Sequence, residues 1–152
     1  MSIYVNNTFR IKRSASQQEL MLKMINAKIF SQYKDVLMAS AVIGYLNDRF
    51  IPIDKVAADS VQVINFNDKD YNIMDLIAYS RKKEQSIIKS DEKYDIFSSY
   101  ANGGFPILVK KLGIDQNKEI TSDDAKKIVI KYYTLLLTKG FAEKNIDSSL
   151  FI

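Results

Sequence analysis

Seven aspartates, Asp35, Asp48, Asp54, Asp59, Asp68, Asp70 and Asp75, fall between positions 35 and 75 of this 152-residue chain. Carboxylate chemistry is what the composition leaves open, because the chain has no histidine and no cysteine. Their absence removes the commonest general base, the commonest transition-metal ligand and every thiolate nucleophile. A magnesium site of carboxylates, or an acid–base centre of Lys or Tyr, can still be built. The aspartates do not complete either one. Asp68-Lys69-Asp70 looks like a fragment of a calcium loop, but the glycine and the closing glutamate are missing. Asp35 and Asp75 lie near expected helix starts, where a carboxylate suits the positive end of the helix dipole. No glycine-rich phosphate loop or nucleophile elbow is present, since Gly103-Gly104 does not follow a strand. Arg49, just behind Asp48, can hold a carboxylate of its own chain or of a partner. The sequence therefore predicts no catalytic residue, no metal and no cofactor.

The basic residues offer a second chemistry. Residues 1–28 carry Arg10, Lys12, Arg13, Lys23 and Lys28 against Glu19 alone, whereas the remaining chain holds 17 basic and 17 acidic residues. The net charge of +4 thus sits in the N-terminal segment. Arg10, Lys12 and Arg13 are candidates for a nucleic-acid or partner-binding arm. The plainer reading is a solvated basic end.

The elements that must position these groups can be read from periodicity. The chain fits one domain with its own core, and no apolar run approaches the ~18–20 residues that cross a bilayer. The start "MSIYVNNTFRIKR" lacks a charged-then-apolar layout, which points to the cytoplasm. Residues 1–13 read as a basic arm or short strand, 14–142 as a helical domain and 143–152 as a loosely held tail. Ser14 or Ser16 caps a first helix running to Lys28. The second, starting at Ser31, is apolar or small on nearly every side from Val36 to Leu46, as expected of a central helix. Pro52 ends it. "DSVQVINFND" reads as a strand, with Val61 and Val63 on one face and Ile64 and Phe66 on the other; its only candidate partners are residues 3–5 or 8–11. "YNIMDLIAYSRKK" is a helix burying Ile73, Leu76, Ile77 and Tyr79, whose basic end suits the dipole. Thr121 and Asp124 open a last helix, 122–139, burying Ala125, Ile128, Val129, Tyr132, Leu135 and Leu136.

"FSSYANGGFPIL", residues 97–108, is the unusual stretch. Ile96, Phe97, Tyr100, Ala101, Gly104, Phe105, Leu108 and Leu112 keep one helical stripe through two glycines and a proline. In a helix interior a glycine costs ~1 kcal/mol and a proline ~3. Pro106 also deprives the Asn102 carbonyl of its amide donor, so a kink or one-turn break is expected at 102–105. The Asn102 side chain can bond a freed backbone group. The glycines let another backbone or side chain come close, and two readings stand. One is a tight helix–helix crossing inside the fold. The other is a docking notch in which Tyr100, Asn102, Gly103, Gly104 and Phe105 bind a partner.

Two stretches, "YKDVLMASAVIGYLNDRFIPI" and "NIMDLIAYS…DEKYDIFSSYANGGFPILVKKL", resemble the Dnd system-associated protein 4 family. The most specific piece is Phe97 followed by Tyr-Ala-Asn-Gly-Gly at 100–104. The resemblance covers residues 31–112 and leaves the last helix as an addition; Pro106 departs from the family pattern. It implies a place beside bacterial DNA phosphorothioation and phage-defence genes, without implying a reaction. The expectation is a mainly α, single-domain bundle of about five helices with at most a short two-stranded β element. Its expected role is a non-catalytic accessory subunit docking on protein subunits of the same defence operon. DNA contact would then be indirect, no membrane is involved, and homo-oligomerisation is open. The alternative is a small DNA-binding regulator or sensor using the N-terminal arm.

Overall fold

Residues 2–142 are described by the computed structural model, so the expected tail at 143–152 lies outside the described residues. Among the described residues there are five α-helices and one small antiparallel ribbon: β1 (Arg10–Ile11), α1 (Gln18–Asn26), α2 (Tyr33–Leu46), β2 (Val61–Gln62), α3 (Asp68–Lys82), α4 (Glu92–Leu112) and α5 (Ser122–Thr138). Short 3-10 turns at 15–17, 63–65 and 85–89 connect them. The mainly α, single-domain expectation holds.

The centre of the bundle is α4, not α2. Fourteen of its 21 residues are buried, against six of 14 in α2, so it is α4 that other elements surround. Ser90 starts α4 by accepting the Glu92 amide at 3.1 Å. Gly113 ends it at φ 68°, the left-handed conformation that glycine adopts without strain. Between these ends the helix is unbroken, passing through Pro106 without the expected one-turn interruption.

The N-terminal segment is held down along its length. Arg10 pairs with Gln62 and Ile11 with Val61, and the ribbon is extended by amides of Val63 and Ile64 donating to the carbonyls of Phe9 and Asn7. The strand expected over 59–68 is shorter because Val63–Asn65 turns as a 3-10 helix. That turn brings Phe66 to the same side as Val63, where it packs edge-on against Phe97 at 6.0 Å and leaves Ile64 exposed. Upstream, Tyr4 and Asn6 both bond the Asp91 carboxylate, and the Asn6 amide donates to the Tyr94 hydroxyl at 2.9 Å.

A buried ion pair completes this corner. Lys93, 2% exposed, reaches Asp75 at 2.9 Å and the Ile88 carbonyl at 2.8 Å, and also donates to the Tyr4 carbonyl. Asp75 is thus a mid-helix partner of α4 rather than a helix-start carboxylate. Breaking such a pair leaves a buried charge uncompensated, at about 3–5 kcal/mol.

Two stripes differ from expectation. In α3 the buried residues are Met74, Ile77 and Ala78, with Ile73 half-buried, while Leu76 and Tyr79 are 62% and 39% exposed. In α5, Ile128 is buried as expected, Ala125, Val129, Tyr132 and Leu135 are only half-buried, and Leu136 is exposed. The capping box of Thr121 and Asp124 is formed, each bonding the other's backbone amide.

Candidate functional site

The crossing of α2 and α4 is built from small residues on both helices. A methyl group placed on Gly104 would lie 1.8 Å from the Ser40 carbonyl oxygen and 2.5 Å from the Gly44 nitrogen. One on Gly44 would lie 2.0 Å from the Tyr100 carbonyl oxygen, and one on Gly103 would lie 2.0 Å from that of Arg49. No side chain fits at any of the three positions. The helices therefore meet main chain to main chain, which repays the helix propensity that the glycines forgo.

This fills the notch from within. The backbone of α2 and of the residues after it occupies the space beside Gly103 and Gly104. Tyr100 and Phe105 are 4% and 3% exposed, so neither presents a binding surface. Of the two readings, the internal crossing is the one whose occupant is present. Asn102, the remaining member of the docking set, is half-buried at the rim.

Asn102 ties three segments together. Its carbonyl, deprived of a donor by Pro106, accepts from the Gln17 side-chain amide at 3.1 Å. The same Gln17 nitrogen reaches the Asn102 side-chain oxygen at 3.1 Å, and the Asn102 amide donates to the Ile51 carbonyl at 2.9 Å. The freed group is thus satisfied from outside the helix, and the side chain of Asn102 serves the loop before Pro52.

Beside this rim, the Arg81 guanidinium stacks over the Phe50 ring at 3.4 Å and donates to the Tyr100 hydroxyl at 3.3 Å. Phe50 and Tyr45 meet the Tyr100 ring edge-on at 5.1 and 5.7 Å. No carboxylate lies within 4.0 Å of Arg81 among the described residues. Of its five N–H donors, one is used among the described residues. By sequence, Arg81 belongs with Lys82 and Lys83 to the basic end that suits the dipole of α3. The available signal was its register: Arg81 follows Met74, Ile77 and Ala78 on the core-facing stripe of α3.

The proposed basic arm is not an arm. Strand alternation turns Arg10 and Lys12 outward and Arg13 inward, where it is 1% exposed. Arg13 lies over the Tyr33 ring at 3.9 Å, donates to the Asp59 carbonyl at 3.1 Å and bonds the Gln18 side chain. Burial pulls its pKa below the ordinary value, partly opposed by Tyr33 and Asp59, and an arginine so placed remains charged. Its Nε has no partner among the described residues. Arg13 is a core strut, and of the three only Arg10 and Lys12 face outward.

Asp35, Asp70 and Asp75 are engaged within the fold. Asp35 and Asp70 close the capping boxes of α2 and α3, and Asp70 also pairs with Lys34 at 2.8 Å. No group of three acidic side chains placed to hold a metal ion occurs among the described residues. None of the described helices is long and apolar enough to cross a membrane.

Fold and rim together describe a small helical protein whose most distinctive stretch is spent on its own assembly. The chain belongs to the DNA sulphur modification system-associated protein 4 family, whose model matches residues 10–132. The match takes in the β1–β2 ribbon and most of α5, so α5 belongs to the family's shared body and is not an addition to it. No curated protein and no solved structure matches the chain.

Proposed function

We propose that this protein is a non-catalytic accessory subunit of a bacterial anti-phage defence system of the DNA phosphorothioation or restriction type. It acts in the cytoplasm, docked on a larger DNA-handling protein. Its family's association with DNA sulphur modification supports the setting. A chain with neither histidine nor cysteine is poorly supplied for catalysis, which supports the accessory role. The observation that carries the docking is Arg81, whose guanidinium lies over Phe50 and, among the described residues, uses one donor and has no carboxylate within 4.0 Å. Such a fork takes a carboxylate of the partner in two parallel hydrogen bonds. Aromatic residues with an arginine are also the composition of interface hot spots.

Co-expression with the neighbouring genes of its operon, followed by size exclusion, tests this reading. The protein should co-elute with a larger product, and Arg81→Ala should release it while the melting profile stays cooperative. A chain that co-elutes with no neighbour's product contradicts the subunit role. The alternative, a DNA-binding regulator, retains only Arg10 and Lys12 of its three candidate contacts now that Arg13 is buried.

A further inference from the structure

α2 and α5, with the loop before α2 and the first turn of α3, enclose an open groove of about 400 Å³. That volume falls in the lower part of the ~300–1,000 Å³ range of small-molecule sites. Three aromatic rings line it. Tyr132 meets Phe30 at 5.2 Å and 79°, and Tyr133 at 5.9 Å and 69°, so the rings stand at steep angles instead of forming one flat wall. Phe30 is buried and Tyr133 is 60% exposed.

The charges on this groove are negative. Asp35 and Asp70 line it, and no lysine or arginine does. Lys34 bonds Asp70 at 2.8 Å but lies 3.9 Å from Asp35 Oδ1, beyond hydrogen-bonding reach. Asp35 spends Oδ2 on the Gln32 amide at 3.2 Å, closing the cap of α2. Its Oδ1 accepts no hydrogen bond among the described residues. One cation against two carboxylates leaves a single negative charge. The Lys34 side chain is only 12% exposed, so this corner already holds one ammonium away from water although two helices start there.

We propose that the groove binds a small aliphatic amine, its ammonium on Asp35 Oδ1 and its stem against Met38 and the rings. The carboxylate supplies a charge-assisted hydrogen bond, and aromatic rings attract a cation over their faces. An uncharged ligand of the same shape gains the apolar contact alone. Burial pushes the Tyr132 hydroxyl above its ordinary value, and Tyr133 and Asp35 add to the effect, so the Asp35 charge is felt among the rings. Asp70 opens α3 and Arg81 lies near its other end, which makes this site independent of the docking proposed at Arg81.

An NMR titration of the whole chain with n-butylammonium chloride tests the proposal, with sodium chloride and n-butanol as controls. The amine should shift amides of residues 29–39 and 129–133 saturably, with a dissociation constant on the order of 1 mM. The alcohol should bind about tenfold more weakly or worse. Asp35→Asn keeps an oxygen for the Gln32 amide, and it should bring the amine down to the level of the alcohol. Tyr133→Ala removes a mostly exposed ring and should weaken the amine severalfold. No saturable shift in the groove, equal affinity for amine and alcohol, or amine binding unchanged by Asp35→Asn or by Tyr133→Ala each overturns the proposal. The comparison with the alcohol uses the unaltered chain, so it decides even if a variant fails to fold.

Discussion

Pro106 sits in mid-helix at an exposed position, and its effect falls on a carbonyl one turn back. Without an amide at 106, the Asn102 oxygen takes its hydrogen from Gln17. Gln17→Ala should therefore cost about 1–2 kcal/mol in urea unfolding, the penalty for a polar group left without a partner. Pro106→Ala supplies the missing amide, and in that background the same Gln17→Ala change should cost clearly less. A double-mutant cycle reads the coupling directly, and strict additivity argues against the arrangement. The need for a donor was legible in the sequence, because proline removes one. Its source was not, since nothing local links position 17 to position 102. Arg13 shows the opposite case: it shares a strand face with Ile11, so its burial was readable from alternation, yet the cluster of charges around it suggested an exposed arm.

At the scale of elements, caps were the clearest signals. Thr121 and Asp124 were read as a helix start and form one, with the threonine hydroxyl holding the Asp124 carboxyl below the ordinary value of 3.8, helped by the Thr121 backbone amide. A carboxyl with a lowered folded pKa adds stability above its unfolded pKa and loses it as pH falls through the folded value. An NMR titration should place the Asp124 midpoint below 3.8, and Thr121→Ala should return it towards that value. Relative burial was harder to read. α2 looks central because its residues are uniformly apolar, whereas α4 buries Lys93, Ser98, Ser99, Gly103 and Gly104, types that seldom advertise a core. Gly103 and Gly104 are buried by close backbone approach and Lys93 in an ion pair, while Ser98 and Ser99 bond carbonyls of their own helix, and hydropathy registers none of these. Leu76 was misplaced for a simpler reason: the α3 stripe runs through 74, 77 and 78, and an isolated leucine off that stripe faces water.

For the whole molecule, the sequence carried the class of fold, the helix count and the possibility of the ribbon, because periodicity and caps are local. The destination of the glycine face was not local. A helix that receives its own chain and one that receives a partner ask for the same small residues at the same spacing. Only the position of Gly44, facing Tyr100 and Gly104 from α2, decides between them. The folded state therefore depends on two backbones in contact.

Gly104→Ala is the most direct measurement of that contact, because two effects predict opposite signs. Helix propensity alone favours alanine by about 1 kcal/mol. The crossing leaves no room for a methyl group, so the substitution should destabilise the isolated protein by about 3 kcal/mol, at the upper end of overpacking costs. A Gly104→Ala chain at least as stable as the original in denaturant unfolding would contradict main-chain contact between α2 and α4.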